Sequence, residues 1–327
     1  MLKTLTLKNS RMLSVINSRA QKAVVKEYGS YHFYDLSNAQ ESTLDSCGDP
    51  FDLSEDGKMF AQSCDGFKTS IRVTDLNSGK SWALDGHPSM IHAVAYSPDF
   101  ALLAVAGNDG NAYLFDPEAR TLKKRLAGKG SRLTALAFSF DGKLLFTGDE
   151  DGVVHRWSLS TDTILNEVTI TDRSDDIDKI EASVDGKSVL VLMRSTAFLL
   201  DAELNIRGSL QTSDGYSSTS GNMTSTYSSV PIQTAAFGSN GTRVVTAHPD
   251  GTIRFWDTTN NRQTKKLKIA DSVRFMAPVD NSHVLTIATV GKKTRFQLVA
   301  SASGQIIRRS VAFDASFLEK MFLSPDR

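Results

Sequence analysis

One pattern recurs along this chain. An apolar run is followed by a tight Asp-Gly-type turn, a second apolar run, another turn, and a third run closing on an aromatic residue and Asp. It is clearest at Ile91 to Asp116, Leu133 to Ser158 and Ile232 to Asp257, and weaker at Phe51 to Asp75 and Ile177 to Asp201. The closing residue falls at Asp35, Asp75, Asp116, Ser158, Asp201 and Asp257, with spacings of 40, 41, 42, 43 and 56, and a seventh copy closes near Ala300. A period of about 40–45 residues with four short strands per unit means stacked, equivalent sheets. One such sheet cannot bury both faces alone, so the units must pack radially on their neighbours. Asp-Gly pairs at 56–57, 109–110, 141–142, 151–152, 185–186 and 250–251 supply the positive φ that tight turns need.

The chain resembles the WD-repeat β-propeller family. Trp256-Asp257 is an intact Trp-Asp pair, Trp157-Ser158, Phe115-Asp116 and Tyr34-Asp35 are degraded versions, and Gly86-His87 is the intact Gly-His pair. The resemblance implies an all-β fold of four-stranded blades over residues 1–327 as one domain, with coverage from about residue 2 to 324. The family often holds a buried Asp, His, Ser/Thr and Trp network within one blade, and no unit here has all four. The third has Thr147, Asp151 and Trp157 with Lys129 at the His position, and the sixth has Thr246, Asp250 and Trp256 with Ser228 there. The departures put that network in doubt. Cullin-type substrate receptors often carry Arg two residues after the Asp of Trp-Asp; Thr258 and Thr259 follow here, so that role loses support.

Seven first strands begin near Met12, Phe51, Ile91, Leu133, Ile177, Ile232 and Val273, and an eighth begins at Phe317, where FLEKMFLSPDR aligns with MIHAVAYSPDF. Seven or eight blades fit. Either the parent protein continues past Arg327, the favoured expectation because an unpaired opening strand is an aggregation hazard, or Leu2–Lys8 and Phe317–Ser324 join in a partial closing blade. Residues 1–26 carry six Lys or Arg and no acid before Glu27, as a mitochondrial transit segment would; the preferred reading makes Leu2 to Lys8 and Met12 to Ile16 propeller strands.

Lys plus Arg and Asp plus Glu number 37 each, so no global field draws nucleic acid or anionic membrane. Two cysteines, Cys47 and Cys64, form no disulfide framework and point to the cytoplasm or another reducing intracellular compartment. No apolar stretch is long enough for a membrane-spanning helix.

Catalytic chemistry needs convergent groups. There is no Gly-x-Ser-x-Gly elbow and no His-Glu-x-x-His, and the six histidines are scattered. Gly79-Lys80-Ser81 and Gly186-Lys187-Ser188 are similar to phosphate-binding loops, but Thr74 and Glu181 stand where the leading Gly belongs. The expectation is a non-enzyme with no cofactor and no metal.

Loops on a rigid scaffold are where function sits. The insertion at 211–230, expected as a loop, holds eleven Ser or Thr with Tyr216 and Tyr227. Lengthening a loop from five to twenty residues costs only about 1.2 kcal/mol, so it is tolerated without a functional reason. An acidic turn, Asp172, Asp175, Asp176 and Asp178, is expected on the same face and would suit a basic peptide; Lys129 and Arg132 join it as partner-binding candidates. Basic outer strands, Lys123, Lys124, Arg125, Lys265, Lys266 and Lys268 with Arg308 and Arg309, form a rim that discourages strand addition or meets RNA phosphates. The expected function is a scaffold or adaptor binding other proteins on one face. The alternatives are the recognition or gating propeller of a larger enzyme, and a ribonucleoprotein-assembly subunit using the basic rim.

Overall fold

The computed structural model describes residues 15–17, 22–27, 29–35, 41–54, 56–64, 70–86, 90–171, 175–194, 196–212, 214, 216–220, 223–227, 229–278, 280, 282–291, 293–309 and 322–324. Its strands form seven sheets of four or five strands and one separate two-stranded hairpin, and apart from one parallel pair in the first sheet, neighbours are antiparallel and follow one another in sequence. We number the sheets 1 to 7 and call their strands a to d in chain order. Sheet 3, for example, comprises Ile91–Tyr96, Leu103–Gly107, Ala112–Asp116 and Thr121–Leu126. The closing residues read from the sequence, Asp35, Asp75, Asp116, Ser158, Asp201, Asp257 and Ala300, are each the last residue of a c strand.

The a strands of sheets 2 to 5 touch in succession, as do those of sheets 6 and 7, and so lie innermost. Strands b and c carry the core: Leu103–Gly107 and Ser188–Met193 are buried along their whole length. Their continuous apolar runs reflect burial on both faces, each sheet being sandwiched by two others. Outer strands such as Thr163–Thr169 alternate only weakly and stay largely exposed. One apolar cluster joins Phe146 and Val154 of sheet 4 to Ile177, Ile180 and Val191 of sheet 5; another joins Leu103 and Phe115 of sheet 3 to Ala61 and Val73 of sheet 2. Gly148 permits the first junction, since a Cβ there would stand 2.6 Å from Ile177 Cγ2.

The repeat's polar residues build its turns. In sheets 2 to 5 the a–b turn opens on Ser54, Ser97, Ser139 or Ser183, whose hydroxyl donates to the Asp two residues on at 2.6–2.7 Å. The same hydroxyl oxygen accepts the backbone N–H five residues on, which fixes the turn. The closing Asp does the same for the c–d turn. Asp116 accepts from the backbone of Glu118 and Ala119, and Asp257 from Thr259, and these bonds hold both carboxyls below the ordinary range. The c–d register slips at Leu114/Phe115, Arg156/Trp157, Leu199/Leu200, Phe255/Trp256 and Leu298/Val299, a bulge recurring at the same point in sheets 3 to 7.

Strand a also staples sheet to sheet. Asp52 accepts the backbone N–H of Tyr96 in sheet 3 at 2.8 Å, and Glu181 accepts that of Phe237 in sheet 6 at 3.0 Å. Burial pushes the Asp52 carboxyl up to about 7, against the pull of the Tyr96 and Leu53 N–H groups.

Sheet 1 has a fifth strand: Phe322–Ser324 pairs in parallel with Val15–Asn17 and touches the a strand of sheet 7, Ser272–Pro278, completing the circuit. The expected strand at Met12 to Ile16 therefore appears as Val15–Asn17, and seven sheets of four or more strands are present among the described residues. Leu2–Lys8 and residues 317–321 lie outside them. No helix among the described residues is long and apolar enough to cross a membrane.

Two sequence expectations need correction. The insertion at 211–230 is not an open loop: Tyr216–Ser220 pairs with Met223–Tyr227 as an antiparallel hairpin, from Tyr216 opposite Tyr227 to Ser220 opposite Met223. Threonine and tyrosine favour extended backbone, and a two-residue connection is the commonest hairpin length. Cys47 and Cys64 are also paired, as a disulfide with Cα atoms 4.4 Å apart. Seventeen residues separate them in sequence, but the a–b hairpin of sheet 2 folds Cys64 back beside the connection that carries Cys47.

Candidate functional site

The b–c turns and the d–a connections emerge on one face, and the backbone locks them together. Asn108 N–H donates to Met90 carbonyl, Glu150 to Arg132 and Ile269 to Gly251, each joining a b–c turn to a d–a connection. These loops are held by the same backbone bonding that holds the sheets.

Between sheets 4 and 5 the sequence candidates meet on this face. Arg132 reaches Asp176 at 3.2 Å and Glu150 at 3.3 Å, while Asp175 pairs with Arg194 at 2.5 Å. Lys129 pairs with Glu167 at 2.6 Å. Asp178 is the exposed second residue of strand a of sheet 5, and Asp172 lies outside the described residues. The acidic turn is thus a patch of alternating sign whose Asp175 and Asp176 already hold arginines. Exposed pairs of this kind contribute about 0–1 kcal/mol each, so the patch is set by its loops more than by its charges.

The buried polar chain doubted from sequence is built in sheet 6, with a different histidine. Trp256 Nε1–H donates to Thr246 Oγ1 at 2.9 Å, Thr246 hydroxyl donates to His248 Nε2 at 2.7 Å, and His248 Nδ1–H donates to Pro231 carbonyl at 2.9 Å. A carbonyl can only accept, which fixes the tautomer. His248 comes from the b–c turn and not from the d–a connection, where Ser228 was noted. Fully buried, and near the Arg254 cation, its imidazole is pushed down to about 4. Sheet 4 keeps only the first link, Trp157 Nε1–H to Thr147 Oγ1 at 3.1 Å, because Asp149 stands where sheet 6 has His248. Asp151 and Asp250 take no part: Asp151 accepts from Ser131, and Asp250 from Thr252 and Arg254.

Arg254, 1% exposed, anchors the insertion. It donates to Asp214 at 2.9 Å and to Asp250 at 3.1 Å, while Lys266 also binds Asp214 at 2.8 Å. Thr212 hydroxyl oxygen accepts the Val230 N–H at 2.8 Å, closing the root of the hairpin that carries Tyr216 and Tyr227.

The basic rim is largely spent on its own chain. Lys123 pairs with Asp116 at 3.2 Å, Lys124 with Asp162 and Leu159 carbonyl at 2.7 Å, and Arg125 lies 5.9 Å from the Tyr113 ring centre. Lys265 donates to Ala302 carbonyl and Lys268 to Asp250 carbonyl. Among the described residues no group of three or more His, Cys, Asp or Glu is placed to hold a metal ion.

Comparison with known families matches residues 79–116, 120–158 and 221–257 to "WD domain, G-beta repeat". Each match ends on the closing residue of a c strand. These three stretches are WD repeats. It is 32% identical over 100 residues to the U3 small nucleolar RNA-associated protein 21 homolog of Schizosaccharomyces pombe, covering 30% of this chain and 11% of that protein. It is 31% identical over 102 residues to the Target of rapamycin complex subunit wat1 of the same yeast, covering 30% of this chain and 32% of wat1. It is 32% identical over 117 residues to the Small ribosomal subunit protein RACK1 of Candida albicans, covering 33% of this chain and 36% of that protein. Each alignment thus spans about a third or less of the relative's length.

Sequence reading missed His248, Arg254 and the Cys47–Cys64 pair. The propeller's repeat places Thr246 two residues before His248 on the same strand-to-turn path, and that spacing was the available signal. Arg254 gave none, since its partner Asp214 lies 40 residues away in sequence.

Proposed function

We propose that this WD-repeat propeller is a non-catalytic scaffold that presents the face of its b–c turns and d–a connections to protein partners. The observation that carries this reading is the locking of those loops by inter-element backbone bonds, as at Glu150 to Arg132. A preset loop face loses little conformational freedom on binding, and a stable interface needs only about 800 Å² per partner. Similarity to a subunit of one complex and to a ribosomal subunit protein supports assembly as the role. An intracellular setting belongs to the same proposal. The RNA alternative draws less support, because Lys124, Lys265, Lys266 and Lys268 already bond to groups of this chain.

The patch between sheets 4 and 5 is the contact we assign first. Arg132→Glu reverses charge beside Asp176 and Glu150 without touching the core. Quantitative affinity capture should show specific proteins depleted by Arg132→Glu and restored by the double exchange Arg132→Asp with Asp176→Arg. Thermal midpoints should match throughout. An identical partner set for all three proteins would refute the assignment of this face.

A further inference from the structure

We propose that Cys47–Cys64 is a reversible thiol–disulfide exchange site, opened by a small anionic thiol of the glutathione class, with Arg72 steadying the sulfur of Cys64 as it leaves. The two cysteines join structural pieces of different kinds. Cys47 lies half-buried in the connection between sheets 1 and 2, whereas Cys64 ends strand b of sheet 2 and is 4% exposed. Gln62 clamps the connection, accepting the Cys47 N–H at 3.1 Å and donating its amide to Asp45 carbonyl at 3.3 Å.

The register decides what faces the bond. Gln62 sits opposite Arg72, and Cys64 opposite Ser70, so these four residues share one face of the sheet. Arg72 is the diagonal cross-strand neighbour of Cys64, a separation that a long side chain spans. A cavity of about 270 Å³ opens beside them, and its walls include Cys64, Ser70, Arg72, Ser81 and Trp82. A thiolate formed at Cys64 therefore has a guanidinium on its own sheet face. A nearby cation lowers a thiol's pKa, and a lower pKa makes the thiol a faster leaving group.

The exchange then runs in two displacements. The external thiolate attacks Cys47 Sγ, which belongs to the less buried residue of the pair. A sulfur–sulfur bond forms there, the Cys47–Cys64 bond breaks, and its electron pair leaves on Cys64 Sγ. A second thiol, having lost its proton to solvent, attacks the small-molecule sulfur of the mixed disulfide and expels Cys47 as thiolate. The protein disulfide is reduced by two electrons, and two small thiols become one oxidised disulfide. Opening frees the entry to sheet 2 from the end of its second strand.

The test equilibrates the full chain in glutathione buffers of graded redox ratio, alkylates free thiols, and quantifies Cys47 and Cys64 peptides by mass spectrometry. The expected result is conversion between paired and free cysteines with buffer ratio while circular dichroism stays native. In addition, Cys64→Ser should capture one glutathione at Cys47. Arg72→Gln should slow opening roughly 3- to 10-fold, with native circular dichroism. Free thiols at both positions even in oxidising buffer would overturn the site, as would a bond that survives excess glutathione in the folded chain. Opening of Arg72→Gln at the unsubstituted rate would overturn the role of Arg72.

Discussion

Replacing His248 by glutamine should tilt the pH dependence of stability in a direction set by two buried groups with opposite demands. In the folded chain His248 stays neutral down to about 4, whereas in the unfolded chain an imidazole takes up its proton near 6.5. Its contribution is therefore complete above pH 6.5 and is lost as pH falls through about 4. At about 1.4 kcal/mol per pH unit, that gap amounts to about 3 kcal/mol. Asp52 works the other way. Its folded carboxyl holds a proton up to about 7 that the unfolded chain releases near 3.8, so its contribution is complete below 3.8 and is lost as pH rises through about 7. The upper bound there is about 4 kcal/mol. Over pH 4.5–6.5 the two slopes oppose each other, and the difference between a variant and the unsubstituted chain isolates each. Urea unfolding read by tryptophan fluorescence should show His248→Gln gaining on the unsubstituted chain as pH falls from 6.5 to 4.5, by about 2–3 kcal/mol, beneath a constant offset from the altered bond to Pro231. Asp52→Asn should gain instead as pH rises from 4.5 to 7. A His248→Gln profile parallel to the unsubstituted one would refute the buried neutral imidazole and the reasoning built on it.

Other outcomes follow from single contacts. Thr246→Val strands both Trp256 Nε1–H and His248 Nε2 and should cost about 2–3 kcal/mol in chemical denaturation, against under about 1 for the exposed Thr163→Val. Gly148→Ala pushes a methyl into Ile177 at the junction of sheets 4 and 5 and should lower stability by about 1–3 kcal/mol, with a fall in melting temperature as the readout. Asp214→Ala should cost about 1 kcal/mol and increase proteolysis at the hairpin root, whereas Arg254→Ala, which empties a buried position and removes both ion pairs to partly exposed carboxylates, should cost about 2–3 kcal/mol.

The architecture could be read from the chain because every repeat states it locally. The Ser-x-Asp of the a–b turn and the Asp closing strand c bond to backbone within five residues, so their spacing records the geometry directly. The hairpin at Tyr216–Tyr227 was hidden by composition, since serine-rich segments read as loops while threonine and tyrosine at paired positions read as strands only once a register is known. The site depended on longer reach. Arg132 meets Asp176 across 44 residues, Arg254 meets Asp214 across 40, and Lys124 meets Asp162 across 38. Sheet packing fixes these encounters, and no local pattern encodes them. A charge run such as Lys123 to Arg125 looks like a free basic surface until the neighbouring turn is placed beside it.

The three residue pairs between Val15–Asn17 and Phe322–Ser324 make sheet 1 different in kind from the other six. Every other sheet is one continuous stretch of chain, whereas this one is a seam that zips distant parts of the chain together. Prying it apart would turn a hoop into an arc while leaving six hydrogen-bonded ladders intact. The circuit is therefore joined across the chain at this seam and along the chain elsewhere, so amide exchange at Val15–Asn17 reports its opening.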